Sequence, residues 1–344
     1  MSVIARAAAV SILLAGVLPP PAARAELEAA REALSAGDYA TAFQEFEASA
    51  RDGDLMAQNN LGVLYSRGLG IAKDAKAAVR WWRQAAEKGY AASQYNLGMA
   101  YLRGQGVEKS ADLAMQWFGK AAAQGDPDAQ FQAGVGYAEG RGVARDFKAA
   151  ATWFEKAAAQ GMSSAQYNLG TFHAQGLGME KDPVAALTWY LKAANQGHPE
   201  AQFMLGQRYL LGDGAAQDFA EAERWFRKAA EQGVAPAQLN LGTMLIAGQG
   251  VAVNQQEGAS WVQKAAEQGL EGAQYSLAGL YREGKGVAKD PVLAYAWFDT
   301  SGANGYKEAY KERDALAREM DAAMLEQARR TAAEYLRKYR APPR

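Results

Sequence analysis

Cysteine is absent from this chain of 344 residues. Disulfide bonds, thiolate nucleophiles, cysteine-ligated zinc and lipidation of an N-terminal cysteine are therefore excluded. The chain also lacks an excess of either charge, since 37 lysines and arginines are balanced by 38 aspartates and glutamates. This balance gives no support to nucleic-acid binding, because such proteins need a basic surface that neutralises phosphates.

Apolar runs of membrane-spanning length are lacking as well. The run at residues 7–18 follows Arg6 and precedes three prolines and the tripeptide Ala23-Arg24-Ala25. It is shorter than the roughly 20 residues that a spanning helix needs. A basic start, a short apolar stretch and an A-x-A site are typical of a secretory signal peptide. We predict a signal peptide at residues 1–25, cleaved after Ala25. The mature protein is then periplasmic or secreted and has no stable membrane insertion.

A period of 36 residues, as from Gly53 to Gly89, runs through the rest of the chain. Tryptophans keep the same step: Trp81, Trp117, Trp153, Trp189, Trp225, Trp261 and Trp297. Glutamines do so too: Gln58, Gln94, Gln130, Gln166, Gln202, Gln238 and Gln274. A fixed period of this length indicates a stack of repeated structural units.

A Gly-x-Gly pair, first seen at Gly68 and Gly70, also recurs in every unit. A dinucleotide-binding loop needs a preceding strand and a third glycine that opens a helix. Here the preceding segment has helical periodicity and the third glycine is missing. We therefore predict that the pair is structural and that Gly68 ends a helix in the left-handed conformation.

Each unit is predicted to contain two helices. In the first unit, Ala57, Leu61 and Leu64 share one face of the first helix. The second helix begins at Asp74, which is a favourable N-cap residue. Its predicted buried face includes both Trp81 and the residue after it, and the tryptophan column is expected to fill the space between helix pairs.

One such hairpin cannot cover its own apolar face, so neighbouring units must stack. We predict an all-α solenoid of tandem helix-turn-helix repeats. The expected segments are an N-terminal capping half-repeat at residues 26–53, seven repeats at residues 54–305 and C-terminal capping helices at residues 306–344. Asp321 is expected to cap the last of these helices.

The unit at residues 201–233, AQFMLGQRYLLGDGAAQDFAEAERWFRKAAEQG, resembles the Sel-1-like repeat, a relative of the tetratricopeptide repeat. The resemblance covers seven units. It implies a right-handed superhelical solenoid and a role as a scaffold or adaptor in signalling, secretion or envelope assembly. It also implies an alternative, because one branch of the family is described as penicillin-binding or β-lactamase-like.

Residues suited to catalysis are few. The chain has two histidines, His173 and His198. His173 occupies a repeat position that is usually tyrosine, so a core or stacking role is expected. His198 lies between Gly197 and Pro199 and is expected at the start of a helix. We predict no catalytic residue, metal or cofactor. The repeated glutamines are expected to hydrogen-bond the loop backbone between units.

The candidate binding surface is the side of the first helices opposite their buried face, which lines the concave groove of a solenoid. We predict that its partner-binding residues are Tyr95, Phe131, Tyr167, Phe203, Tyr275, Met99 and Gln207. Exposed aromatic rows are frequent binding sites. A second interpretation is that these rings stack on neighbouring first helices.

We therefore predict a non-enzymatic scaffold of the cell envelope that binds a protein or an extended peptide in its groove. Two alternatives remain at this stage. One is an envelope hydrolase or penicillin-binding protein, and the other is a glycan-binding module.

Overall fold

The computed structural model describes residues 21–340, which form α-helices and no strands. Most of the predicted signal peptide lies outside these residues, and the predicted cleavage position after Ala25 lies within the first helix. No helix in the described part of the chain is long and apolar enough to cross a membrane. The helices are α1 (Pro21–Ala36), α2 (Tyr39–Arg51), α3 (Leu55–Arg67), α4 (Ala75–Glu87), α5 (Ala91–Arg103), α6 (Ala111–Ala123), α7 (Pro127–Glu139), α8 (Phe147–Ala159), α9 (Ser163–Gln175), α10 (Pro183–Asn195), α11 (Pro199–Leu211), α12 (Phe219–Glu231), α13 (Ala235–Ala247), α14 (Gln255–Glu267), α15 (Glu271–Glu283), α16 (Pro291–Asn304), α17 (Ala309–Ala317) and α18 (Ala322–Lys338).

The second helix of every repeat begins at a residue whose side chain caps it. The carboxylate of Asp74, for example, accepts a hydrogen bond from the backbone N–H of Ala77 at 2.9 Å. This satisfies one of the backbone donors that the first turn of a helix leaves free. The predicted caps are confirmed at Asp74, Ser110, Asp146, Asp182, Asp218, Asn254 and Asp290. Asp321 likewise caps α18.

The glycine pair between the two helices is structural, as predicted. Gly68 ends α3 with φ of 71° and Gly70 follows with φ of 70°. A Cβ atom on Gly70 would lie 2.1 Å from the carbonyl oxygen of Tyr39. The loop therefore presses against the start of the preceding second helix, and only glycine permits both the backbone conformation and this close approach.

The chain divides into two compact units, at residues 1–145 and 146–344. In the first unit, α1, α2 and α3 share a core that contains Phe46 and Leu61. The next core joins α4 to α5 and contains Trp82 and Leu97. The second helix of one repeat thus packs against the first helix of the next, so that each repeat covers the apolar face of its neighbour.

The second unit is built in the same way and ends in two further helices, α17 and α18. Both pack against α16. Trp297 of α16 lies 4.7 Å from Tyr335 and 4.9 Å from Tyr339, measured between ring centroids. These aromatic contacts occupy the place of a following repeat.

The tryptophan column packs between helix pairs, as predicted, but most of its members are less buried than the residues that follow them. Trp81, Trp117 and most of their counterparts are half-buried. The residue that follows each of them is buried instead; Phe118, for example, is 1% exposed. Successive helical residues differ by about 100° in direction, and the position of Phe118 faces the first helix of its own repeat.

Within each unit, tryptophans pack against the preceding repeat, as at Trp81 and Trp261. Trp117, for example, packs against the α4–α5 core. Its outer face carries the ammonium group of Lys120, which lies 3.9 Å from the ring centroid. Four further repeats have the same cation–π pair: Lys156 with Trp153, Lys192 with Trp189, Lys228 with Trp225 and Lys264 with Trp261. The column therefore joins neighbouring repeats and also presents cations to solvent.

The repeated glutamines connect neighbouring repeats, although their acceptor is a helix end and not a loop. Gln94 donates to the carbonyl of Ala86 in the last turn of α4 at 3.1 Å, and its own Oε1 accepts from Gln124 at 2.7 Å. We call these paired amides the glutamine ladder. The same two bonds occur at Gln166, Gln202, Gln238 and Gln274. The ladder glutamines donate hydrogen bonds to backbone carbonyls that have no partner within the last turn of each second helix.

Candidate functional site

The first helices keep one stripe of residues in contact with solvent. In α3 it consists of Met56, Asn60, Val63 and Arg67, of which the first three are half-buried and Arg67 is exposed. The spacing i, i+4, i+7, i+11 places these residues on one face of the helix. The equivalent positions of α5, α7, α9, α11, α13 and α15 are also half-buried or exposed. We call this surface the first-helix stripe.

The predicted aromatic row lies beside this stripe and is half-buried. The ring centroid of Tyr95 lies 5.8 Å from that of Phe118. The same pairing joins Tyr167 to Tyr190 at 5.8 Å, Phe203 to Phe226 at 5.9 Å and Tyr275 to Phe298 at 5.4 Å. Phe131 is half-buried as well. These pairs join the two helices of one repeat, and Tyr167 also stacks on His198, which caps the first helix of the next repeat.

Two repeats lack this aromatic pair. In the first repeat the position is Asn59, and Nε1–H of Trp82 donates to its backbone carbonyl at 3.2 Å. Leu239 and Val262 occupy the two positions in α13 and α14. There the helices approach closely, since a Cβ atom on Gly242 would lie 2.6 Å from the carbonyl oxygen of Gly258. Gly258 is alanine in the other repeats, so the missing side chain at this position also permits the close approach.

Burial changes the acidity of one tyrosine of this row in particular. It raises the pKa of Tyr95 to about 12, with a smaller contribution from Asp128 and Asp126. The phenol is therefore protonated throughout the physiological range. Its hydroxyl is available as a hydrogen-bond donor and has no basic role.

Met99 and Gln207, the two predicted binding residues outside the aromatic row, both lie on the first-helix stripe and are half-buried. They occupy equivalent positions in α5 and α11. The stripe brings each of them next to an amide or thioether side chain one turn earlier, Asn96 in α5 and Met204 in α11.

The amide row of the stripe was not singled out from the sequence. It comprises Asn60, Asn96, Gln132, Asn168 and Asn240, and it directly follows the aromatic row in the chain. Its signal is the recurrence of an amide at one repeat position. Asn96 donates to Oδ1 of Asn59 at 2.9 Å, which places α5 beside α3 on this side of the first unit.

The two histidines differ in role and in surroundings. His198 is the N-cap of α11, as expected for a helix start, and its ring stacks on Tyr167 at 4.9 Å. Burial lowers the pKa of His198, although nearby Glu200 opposes the shift. Its Nδ1 accepts a hydrogen bond from the N–H of Ala201 at 3.4 Å and lies 3.3 Å from a carboxylate oxygen of Glu200.

His173 is half-buried, and its Nδ1 atom has no hydrogen-bond partner in the part of the chain that the structure describes. Within the same residues, 21–340, no group of three histidine, aspartate or glutamate side chains is arranged to hold a metal ion. The most buried carboxylate network is the contact of Arg227 with Glu223 and Glu257, at 2.6 and 2.7 Å. It joins α12 to α14 and so connects two repeats.

Comparison with known proteins gives the same repeat boundaries. The Sel1 repeat family matches seven consecutive windows, at residues 55–90, 91–126, 127–162, 163–198, 199–234, 235–270 and 272–306. None of the curated proteins matches the chain.

Two solved structures are similar to the chain over most of its length. A Sel1 repeat protein from Oxalobacter formigenes is 32% identical, with a TM-score of 0.67, and the match covers 86% of this chain and 88% of that one. A protective antigen of uropathogenic Escherichia coli with an SLR fold is 31% identical, with a TM-score of 0.45, covering 92% and 84%. The repeat windows, the helix pairs and the identity with the Oxalobacter formigenes protein together show that the chain belongs to the Sel1 repeat family and is an all-α solenoid.

Proposed function

We propose that the chain is a scaffold that holds another protein, or an extended peptide segment of it, against its first helices and catalyses no reaction itself. The repeat fold supports the proposal, because Sel1 and tetratricopeptide-like repeats are typical of protein–protein interaction scaffolds.

The observation that carries the proposal is the difference between core and stripe positions. The core position at Leu61 is leucine in six of the seven repeats: Leu61, Leu97, Leu169, Leu205, Leu241 and Leu277. Two residues later, the stripe position differs widely: Val63, Met99, Val135, Thr171, Gln207, Thr243 and Gly279. Core packing accounts for the recurrence of leucine at the first position. Binding of a non-repetitive partner accounts for the variation at the second position.

The proposed partner-facing residues are Met99 and Gln207 together with the exposed edges of the aromatic row: Tyr95, Phe131, Tyr167, Phe203 and Tyr275. Met99, Tyr95 and Phe131 belong to the first unit and the others to the second. The half-buried rings offer rigid edges, and Tyr95 adds a hydroxyl donor to its edge.

Capture of partner proteins by stripe variants tests the proposal. Alanine at Tyr95 would also remove core packing, so substitutions at Met99 and Gln207 are more informative. We expect Met99→Glu/Gln207→Glu to lose the proteins that the wild type captures from an envelope extract. Gln116→Glu/Ser260→Glu changes the charge by the same amount at exposed positions of second helices and should keep them. Equal capture by both double variants would contradict the proposal.

We further propose that the protein works in the cell envelope. The support is the N-terminal pattern of a basic residue, an apolar stretch and an A-x-A site. Mass spectrometry of the protein from fractionated cells should find a periplasmic or secreted chain that begins at Glu26. A cytosolic chain that retains residues 1–25 would contradict this placement.

A further inference from the structure

In the first unit the first-helix stripe has four rows, and we call the three rows nearest the helix C-termini the first-unit stripe. The fourth row contains Met56, Ala92 and Asp128. The amide row contains Asn60, Asn96 and Gln132. The apolar row contains Val63, Met99 and Val135. The row at the helix C-termini contains Arg67, Arg103 and Glu139. Each row takes one residue from each of α3, α5 and α7. The amide row and the apolar row therefore each offer one kind of contact, whereas the row at the helix C-termini carries charges of both signs.

The amide row has unused hydrogen-bonding capacity. Among residues 21–340, the side-chain amides of Asn60 and Gln132 have no protein partner, and Asn96 uses a single N–H to reach Asn59. A primary amide offers both a donor and an acceptor. This combination matches the C=O and N–H groups of a peptide backbone that has no secondary structure of its own.

The spacing of the row suits an extended chain. The Asn59–Asn96 bond joins a side chain of α3 to a side chain of α5, and a separation of about 10 Å is typical of neighbouring helices. A polyproline II segment advances about 3.1 Å per residue, or about 9 Å in three residues. Successive amides would therefore meet every third residue of such a segment, while the apolar row contacts its small side chains.

The charged residues at one end of the stripe indicate the sign of the partner's charge. Arg67 and Arg103 are exposed, and neither guanidinium forms an ion pair within the described residues. The third member of their row, Glu139, is paired with Arg141. Two free guanidinium groups on adjacent helices favour carboxylates, which they bind in a bidentate geometry.

We propose that the first-unit stripe binds an extended acidic peptide segment, with its backbone on the amide row and its carboxylates at Arg67 and Arg103. This inference rests on the proposed scaffold function and names the chemistry of the partner. The peptide runs across α3, α5 and α7.

Binding of defined peptides to the full chain tests the inference. The probe is a fluorescein-labelled dodecapeptide of repeating Asp-Pro-Ala, which favours the polyproline II conformation and places a carboxylate at every third residue. Repeating Ser-Pro-Ala and Lys-Pro-Ala peptides are the controls. We expect anisotropy titrations to rank the affinities in the order Asp, Ser, Lys, and added salt to weaken the first.

Two double variants locate the binding, and a third is their control. Arg67→Gln/Arg103→Gln should weaken the acidic peptide by about tenfold, the effect of two exposed ion pairs, and leave the serine peptide nearly unchanged. Asn60→Ala/Gln132→Ala should weaken both peptides. Lys76→Gln/Arg80→Gln changes the net charge equally on α4, where both side chains are exposed, and should bind the acidic peptide nearly as the wild type does.

Two results would overturn the inference. One is the absence of a preference for the acidic peptide, and the other is an equal loss of affinity in the α3–α5 and α4 charge variants. Neither result would contradict the scaffold proposal. The capture experiment with the Met99 and Gln207 variants tests that proposal, and it gives a negative result only if the protein partners do not bind the first-helix stripe.

Discussion

Replacement of Lys88 by glutamine adds a missing bond to the glutamine ladder. In later repeats the equivalent residue donates to the preceding ladder glutamine, as Gln124 does to Gln94 at 2.7 Å. Lys88 leaves Oε1 of Gln58 without a partner in the described part of the chain, although Gln58 is only 3% exposed. The Lys88→Gln side chain would be placed to donate to that oxygen.

The expected gain in the free energy of unfolding is the difference between two effects. A buried polar group without a partner costs about 1–3 kcal/mol, and the new bond removes this cost. Lys88 is the exposed C-cap of α4, so its favourable interaction with the helix dipole contributes about 0.3–1 kcal/mol, which the variant loses. The net stabilisation should be on the order of 0.5–2 kcal/mol.

Urea denaturation combined with amide hydrogen exchange in α3 and α4 measures this gain, since individual repeats can open separately. Lys88→Ala is the first control; it removes the cation without adding a donor and should be slightly less stable than the wild type. In the second control, Gln58→Leu should abolish the gain of Lys88→Gln. Equal stability of Lys88→Gln and Lys88→Ala would refute the reasoning.

Three further predictions concern packing, pH and capping. Gly98→Ala should destabilise the protein by about 1–3 kcal/mol, because the new Cβ atom would lie 2.7 Å from Phe118. The control Gly119→Ala places its Cβ atom near no other atom and should stabilise by about 1 kcal/mol in the same urea titration. Burial lowers the pKa of His198, so its stability contribution is complete above the unfolded value of 6.5 and is lost as pH falls through the lower folded pKa. His198→Asn, which keeps a capping side chain, should remove that part of the pH dependence of the urea midpoint; an unchanged pH dependence would contradict this. Asp182→Ala should lose about 0.5–2 kcal/mol and Asp182→Ser much less, as judged by hydrogen exchange in α10, and equal losses would count against the cap.

Local features of the fold were predictable because they depend on neighbouring residues. The cap at Asp74 follows from the hydrogen-bonding capacity of one side chain. The left-handed ends at residues such as Gly68 follow from the freedom of glycine. The period itself indicated stacking, since a single hairpin exposes an apolar face.

Features that depend on the meeting of two repeats were harder to predict. Trp117 and Phe118 are both large aromatic residues on one helix, and only the direction of the neighbouring helix decides which is buried. For the same reason the second partner of Gln94 was missed, because Gln124 follows it by 30 residues in the chain.

The candidate site was predictable in position but not in detail. Helix geometry placed Met99 and Gln207 on an accessible face, where the structure also has them. It also placed the ring of Tyr95 in solvent, whereas the ring packs on Phe118. Asn60 was not predicted as a site residue, because only the three-dimensional structure shows that its side-chain amide has no protein partner within the described residues.

Photo-cross-linking from the stripe tests the claim that the first helices hold a protein partner most directly. A photoreactive phenylalanine analogue in place of Met99 should form a discrete cross-linked product in an envelope extract. The same analogue at Gln116, exposed on α6, should form none. Products of equal yield from both positions, or none from Met99, would contradict the account.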